Sequence, residues 1–190
     1  MAVRRVRRRR LTAVVTVAMA MLLLGGYFWI GRAPRSLEGS IGAGTYGLHM
    51  NVNEVATWGG LDVRNTGSRP LVLDSLTLHQ AEGAADGVKF LRMQVVATDK
   101  LGDGPRIGMS GNAGADVIPE GLRSPLDGYE LPASSEVSVL IQYQALREGS
   151  FRYDTATFDY HEGSRTGQLT VVQALDVCVP ADAECDLPRL

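Results

Sequence analysis

Residues 136–144 read EVSVLIQYQ, and apolar residues recur at nearly every second position. This alternation is typical of a β-strand with one buried face, because successive side chains on a strand point to opposite faces. The face predicted to be buried carries Val137, Val139, Ile141 and Tyr143. Leu140 is the exception, since it places an apolar side chain on the otherwise polar face. The stretch therefore predicts a half-buried β-strand.

Short apolar runs separated by turn residues continue the same pattern on both sides of this stretch. No part of residues 45–190 keeps a helical period of about 3.6 residues over three turns, which argues against long helices. The further strands are predicted at residues 45–51, 60–64, 71–80, 88–98, 126–131, 151–161 and 168–179. Strands of this length, spaced by turns, predict an all-β fold class: a sandwich of about 7–8 strands.

The strand predicted at residues 71–80 contains a break in its alternation. Leu71 and Leu73 fall on one face, whereas Leu76 and Leu78 fall on the other. One extra residue in the strand, a β-bulge, would bring all four leucines to the same face. We therefore predict a bulge or bend near residues 74–75.

A long irregular segment, residues 99–125, is rich in glycine and also contains three prolines. Irregular segments of this length in a small domain are usually functional or mobile. A brief strand is predicted within it at residues 106–110. Because loops on a rigid scaffold often carry binding residues, this segment is the predicted place of partner contact.

Residues 11–30 read LTAVVTVAMAMLLLGGYFWI and contain no charged residue. A helix of this length would cover about 30 Å, the thickness of the hydrocarbon layer of a membrane. We therefore predict one N-terminal transmembrane helix that contacts membrane lipid. A cleaved signal peptide is the alternative, but its apolar core is usually only about 7–15 residues long.

The residues before the predicted helix are strongly basic, and two arginines follow it, Arg32 and Arg35. This excess predicts a cytoplasmic N-terminus and a C-terminal domain outside the plasma membrane. The basic residues are also predicted to contact anionic lipid. They are Arg4, Arg5, Arg7, Arg8, Arg9 and Arg10.

These observations predict five segments along the chain. They are a cytoplasmic stub (1–10), the transmembrane helix (11–30), a flexible linker (31–44), an extracytoplasmic β-sandwich (45–180) and a C-terminal tail (181–190). Beyond the stub, 13 of the 19 basic residues remain beside all 21 acidic ones. Nucleic acid is therefore not a predicted partner, because its backbone requires a basic surface.

The sequence contains two cysteines, Cys178 and Cys185. Outside the cytoplasm such a pair tends to be oxidised, and their spacing does not fit redox or zinc motifs. We predict a structural disulfide that joins the tail to the last strand and stabilises the fold by about 2.5 kcal/mol. Mass spectrometry of the unreduced protein should show a chain two hydrogens lighter than the reduced form; two free thiols would refute the disulfide.

Four residues raise the question of a copper site: His49, Met50, Met93 and Met109. Imidazole and thioether ligands suit copper, but methionines in apolar strands are more often core filler. For enzymes, the sequence has no G-x-S-x-G, H-E-x-x-H or phosphate-binding loop motif. No cofactor is predicted.

Residues 61–71 read LDVRNTGSRPL, a strand, an Asn-x-Gly turn and a second strand led by proline. Residues 154–160 read DTATFDY. Both passages resemble immunoglobulin-type domains of exported bacterial proteins. The second is similar to the strand that carries the tyrosine corner, although Tyr160 stands where the cysteine is expected. The chain as a whole resembles single-pass actinobacterial membrane proteins with an extracytoplasmic immunoglobulin-like domain. This resemblance implies an immunoglobulin-like sandwich and no particular activity.

The sequence thus favours a membrane-anchored, extracytoplasmic, non-catalytic interaction domain that binds another envelope protein or a ligand. A copper-binding accessory protein of the cell envelope is the alternative. A hydrolase is the second alternative, and it would require serine, histidine and carboxylate side chains to converge in one pocket.

Overall fold

The computed structural model describes residues 36–39, 45–101, 109–110 and 118–182. Predictions for residues 1–35 and for Cys185 lie outside these ranges. The strands of the described residues are β1 Leu37–Gly39, β2 Thr45–His49, β3 Val55–Asn65, β4 Leu71–Glu82, β5 Val88–Ala97, β6 Met109–Ser110, β7 Ser124–Pro125, β8 Tyr129–Leu131, β9 Glu136–Ala145, β10 Gly149–Glu162 and β11 Arg165–Val179. Two short 3₁₀ turns, Thr98–Lys100 and Glu120–Leu122, are the helical elements among them.

These strands form two sheets. In the first sheet the order is β1-β3-β9-β5-β7, with β6 also paired to β3. In the second sheet the order is β2-β11-β10-β4-β8. All pairs are antiparallel except β2 with β11. The prediction of an all-β fold is confirmed.

One hydrophobic core joins the two sheets. Trp58 and Tyr143 enter it from the first sheet, and Phe151 and Phe158 enter it from the second. Burial of a large apolar side chain contributes about 1.5–3 kcal/mol. Gln173 of β11 also crosses between the sheets, because its Nε2 donates a hydrogen bond of 2.7 Å to the carbonyl of Gly60.

The eight predicted strands correspond to β2, β3, β4, β5, β8, β9, β10 and β11. β3 begins at Val55 rather than at the predicted residue 60. Two glycines conceal its first half in the sequence, and the register with β9 shifts between Trp58 and Leu61. Glycine in a strand often marks such a bulge.

The predicted bulge in β4 is confirmed. Tyr160 of β10 pairs with Leu73, and Asp159 pairs with Ser75, so Asp74 is the extra residue. It returns Leu76 to the inner face, where this side chain is buried with Leu73.

The apolar side chain of Leu140 on the otherwise polar face of residues 136–144 also has a structural reason. Leu140 belongs to a second, smaller cluster with Val96 and Ile118. Ile118 comes from the end of the long irregular segment. That segment therefore covers part of the sheet face that alternation alone assigns to solvent.

The sheet reaches further towards the N-terminus than predicted. Leu37–Gly39 pairs with β3, although it lies within the predicted linker. Of the predicted brief strand at residues 106–110, Met109–Ser110 is a strand and the remainder lies outside the description. No described helix is long and apolar enough to cross a membrane; the predicted membrane helix lies outside the described residues.

Candidate functional site

An open cavity of about 620 Å³ lies at one end of the sandwich. We call it the end cavity. The ends of β3 and β5, part of β8 and the turn between β8 and β9 surround it. Its lining residues are Arg64, Ala97, Thr98, Asp99, Lys100, Tyr129, Pro132, Ser134, Ser135, Glu136 and Val137.

Asn65 connects two turns that adjoin the end cavity. It is fully buried, and its Nδ2 donates to the carbonyls of Arg69, Leu131 and Pro132 at 2.8, 3.0 and 3.1 Å. Its Oδ1 accepts a hydrogen bond from the backbone N–H of Gly67 at 2.9 Å. The Asn-x-Gly turn seen in the sequence is thus tied to Pro132, a lining residue of the end cavity.

The end cavity brings together charges of both signs. Arg64, Asp99, Lys100 and Glu136 line it, and none of their charged groups makes an ion pair or hydrogen bond with another described residue. Burial, and then the nearby Asp99 carboxylate, raise the pKa of Tyr129. Its phenol therefore stays protonated at neutral pH and can donate a hydrogen bond. The cavity can bind a polar group of either charge.

A second depression, about 390 Å³ in volume, lies on the side of the sandwich between β4 and β5. We call it the side groove. Its walls come from both sheets and from the turn between β7 and β8. They comprise Asp74, Ser75, Leu76, Phe90, Leu91, Arg92, Met93, Pro125, Leu126 and Asp127.

Serine, histidine and carboxylate side chains meet on the outer face of the second sheet. Ser75 and Gln168 both donate to Asp159 at 2.7 Å, and these bonds, that of Gln168 first, lower the pKa of Asp159. His161 Nδ1 lies 2.7 Å from Asp74 Oδ1. Within the described chain no hydrogen bond joins the Ser75 hydroxyl to the His161 ring. The bonds are those of a polar sheet surface rather than of a nucleophile with its base.

The residues of the copper alternative occupy different environments. His49 is exposed at the end of β2, whereas Met50 is fully buried in the core. Met93 on β5 is half-buried against the same core, and Met109 lies on β6. In the described ranges no three His, Cys, Asp or Glu residues form a group that could hold a metal ion.

Cys178 is buried in β11, and Cys185 lies outside the described residues, so the disulfide stays a prediction. The same is true of the six N-terminal arginines. Among the described residues of the predicted contact segment, Asp99 and Lys100 line the end cavity.

The sequence did not predict the other walls of the end cavity, and of the side groove it predicted only Pro125, the last residue of the contact segment. The cavity walls come from four separate segments, and strand pairing across the sheets brings them together. The turns at residues 65–67 and 131–132 were the available signal, because turn residues mark where strands end.

No protein-family model matches the chain, and no curated protein was found to match it. Among solved structures, the seventh PapD-like domain of human CEP192 gives a TM-score of 0.36 at 11% identity, covering 76% of this chain and 84% of that chain. The VesB protease of Vibrio cholerae gives 0.37 at 12% identity, covering 79% of this chain and 34% of that chain. The CooA pilin subunit of enterotoxigenic Escherichia coli gives 0.31 at 10% identity, covering 76% and 98%. Identities and TM-scores this low assign neither a family nor a function.

Proposed function

We propose that this protein is a single-pass membrane protein whose immunoglobulin-like sandwich lies outside the cytoplasm and binds a partner without catalysing a reaction. The basic stub and uncharged segment of the sequence support the anchor and its orientation. The partner is another envelope protein or a ligand. The end cavity is the observation that supports the proposed binding.

The end cavity presents charged groups that are available to pair with a partner. Two cations and two anions line one concave surface without an ion-pair partner among the described residues. Polar groups arranged around a cavity fix the orientation of a bound group and supply specificity. The anions of a partner segment with charges of both signs would pair with Arg64 and Lys100, and its cations would pair with Asp99 and Glu136. Partly desolvated pairs of this kind set specificity and association rate.

Site-specific photocrosslinking tests this proposal in cells that express the full chain. A photoreactive amino acid replaces Ser134, which is exposed at the cavity rim. We expect a discrete crosslinked adduct. The double variant Arg64→Glu/Lys100→Glu should reduce its yield by roughly tenfold, because each reversed charge weakens binding.

Two controls make the result specific. The same photoreactive residue at Arg147, an exposed position at the opposite end of the sandwich, should give no such adduct. The double variant Arg69→Glu/Arg147→Glu, which reverses two exposed charges outside the cavity, should leave the yield unchanged. Protease added to wall-stripped cells should digest the domain. Equal adducts at both positions, or a domain protected from the protease, would contradict the proposal.

A further inference from the structure

The side of the sandwich leaves two strand edges unpaired in the described residues. β5 pairs with β7 only at Gln94 and Val95, so its residues 88–92 have a strand neighbour on one side only. β4 pairs with β8 only at residues 71–73. The turn between β7 and β8 covers the parts of both edges that adjoin these two strands. On the β5 edge, the N–H of Leu126 donates a hydrogen bond of 3.1 Å to the carbonyl of Met93. The side groove lies beside the uncovered parts.

A bulge places two cations on one face of this edge. Phe90 pairs with Tyr143 and Arg92 pairs with Gln142, so Leu91 is the extra residue in β5. Lys89 and Arg92 consequently lie opposite Gln144 and Gln142, which share the outer face of β9. Both cations are exposed, and neither forms an ion pair with a described residue.

The other face of the edge is mainly apolar, although Asp74, Asp127 and Arg92 also line the side groove. Phe90 and Met93 pack against the core from the inner face, and with Leu76 and Leu126 they line the side groove. Leu91 is 37% exposed beside them. A strand added to β5 would therefore meet apolar side chains, with Asp74 and Asp127 among them, in the side groove on one face. Towards the other face it would meet the positive charges of Lys89 and Arg92.

We infer that β5 binds an extended segment of a partner protein in which apolar residues alternate with acidic ones. The partner backbone would add to the sheet, the usual way in which an open edge binds a peptide. Its apolar side chains would enter the side groove, and its carboxylates would lie opposite Lys89 and Arg92 as cross-strand pairs.

A second copy of this chain is a poorer occupant. Pairing of β5 with β5 of another copy would bring Lys89 and Arg92 of each chain close to one another. Like charges across a strand pair are destabilising, and cations on an edge strand commonly prevent self-association. The same two charges favour an acidic foreign strand.

A model peptide of alternating glutamate and valine, about eight residues long like an ordinary strand, serves as the probe. We expect its fluorescence anisotropy to rise saturably when the full-length protein is added. A lysine–valine peptide should bind at least roughly tenfold more weakly, because two cross-strand pairs become repulsive. Hydrogen exchange should slow in residues 88–93 when the glutamate–valine peptide binds.

Charge exchange provides the strongest control. In Lys89→Glu/Arg92→Glu the preference should reverse, so that the lysine–valine peptide binds better. In Arg69→Glu/Arg147→Glu, which changes the same charge at two exposed arginines outside both the side groove and the end cavity, the preference should be unaltered. A gain of binding cannot result from a variant that fails to fold.

Four outcomes would overturn the inference. The first is the absence of saturable binding. The second is equal binding of a glutamate–valine peptide whose backbone amides are all methylated, because this would reflect charge without strand pairing. The third is protection from exchange confined to other strands. The fourth is protection of residues 88–93 that increases with protein concentration in the absence of peptide, because the occupant would then be a second copy.

Discussion

The variant Phe151→Ala should lose about 3–5 kcal/mol of the free energy of unfolding, the usual cost of truncating a buried phenylalanine. Phe151 is 1% exposed, and its ring lies over the backbone of glycines at both ends of the β4–β5 connection. A Cβ on Gly87 would overlap this ring. Gly83, with φ +93°, cannot carry a Cβ either, because that atom would lie 2.5 Å from the carbonyl oxygen of Ser150.

Packing between the ring and Gly87 can be isolated by a double-mutant cycle. Gly87→Ala alone should cost about 1–3 kcal/mol, because the added methyl group displaces the ring. In the Phe151→Ala background the same change should cost less than about 0.5 kcal/mol, since no ring remains to be displaced. Equal costs in both backgrounds would show that Gly87 is required for another reason.

Denaturant titration of the full-length chain measures these energies. Trp58, which is fully buried, reports unfolding by fluorescence in a Trp29→Phe background. Val172→Ala is the matched control, because it removes apolar atoms from a side chain that is 64% exposed. Its effect should stay within about 0.5 kcal/mol. A Phe151→Ala loss of similar size would contradict the packing argument.

The strands could be predicted because their signal is local. Alternation of apolar residues located β9, and its failure at Leu73 and Leu76 located the bulge in β4. β1 was missed because its three residues are too few to show a period. The first half of β3 was missed because Gly59 and Gly60 interrupt the pattern.

The candidate binding surfaces could not be predicted in the same way. Arg64 and Glu136 face one cavity because β3 pairs with β9 in a particular register. Phe90 and Leu76 line one groove because their strands lie in opposite sheets that share a core. Such relations depend on pairing between distant segments, which periodicity within each segment does not specify.

After Phe151→Ala, substitution of Asn65 should cause the second-largest loss in the free energy of unfolding. Asn65→Ala removes the donor to three carbonyls and the acceptor for the Gly67 N–H. Buried polar groups left without a partner cost about 1–3 kcal/mol each, and water can replace some of the lost bonds. We expect a total loss of about 3 kcal/mol, which lowers the melting temperature by roughly 6–12 °C. Asn51→Ala, at an exposed asparagine, should change stability by less than about 0.5 kcal/mol.

Asn65→Asp distinguishes the donor from the acceptor. The aspartate keeps an oxygen for the Gly67 N–H, but at neutral pH it presents a buried carboxylate to three carbonyl oxygens. The folded state therefore favours the protonated acid, whose pKa lies above its unfolded value of about 3.9. The direction of the pH dependence follows from linkage. The loss of stability caused by the aspartate is absent below the unfolded pKa of about 3.9, and it grows as the pH rises through the folded-state pKa. Melting curves between acid and neutral pH should show a deficit that widens with pH relative to Asn65→Ala. A deficit independent of pH would mean that the three carbonyls do not depend on this donor.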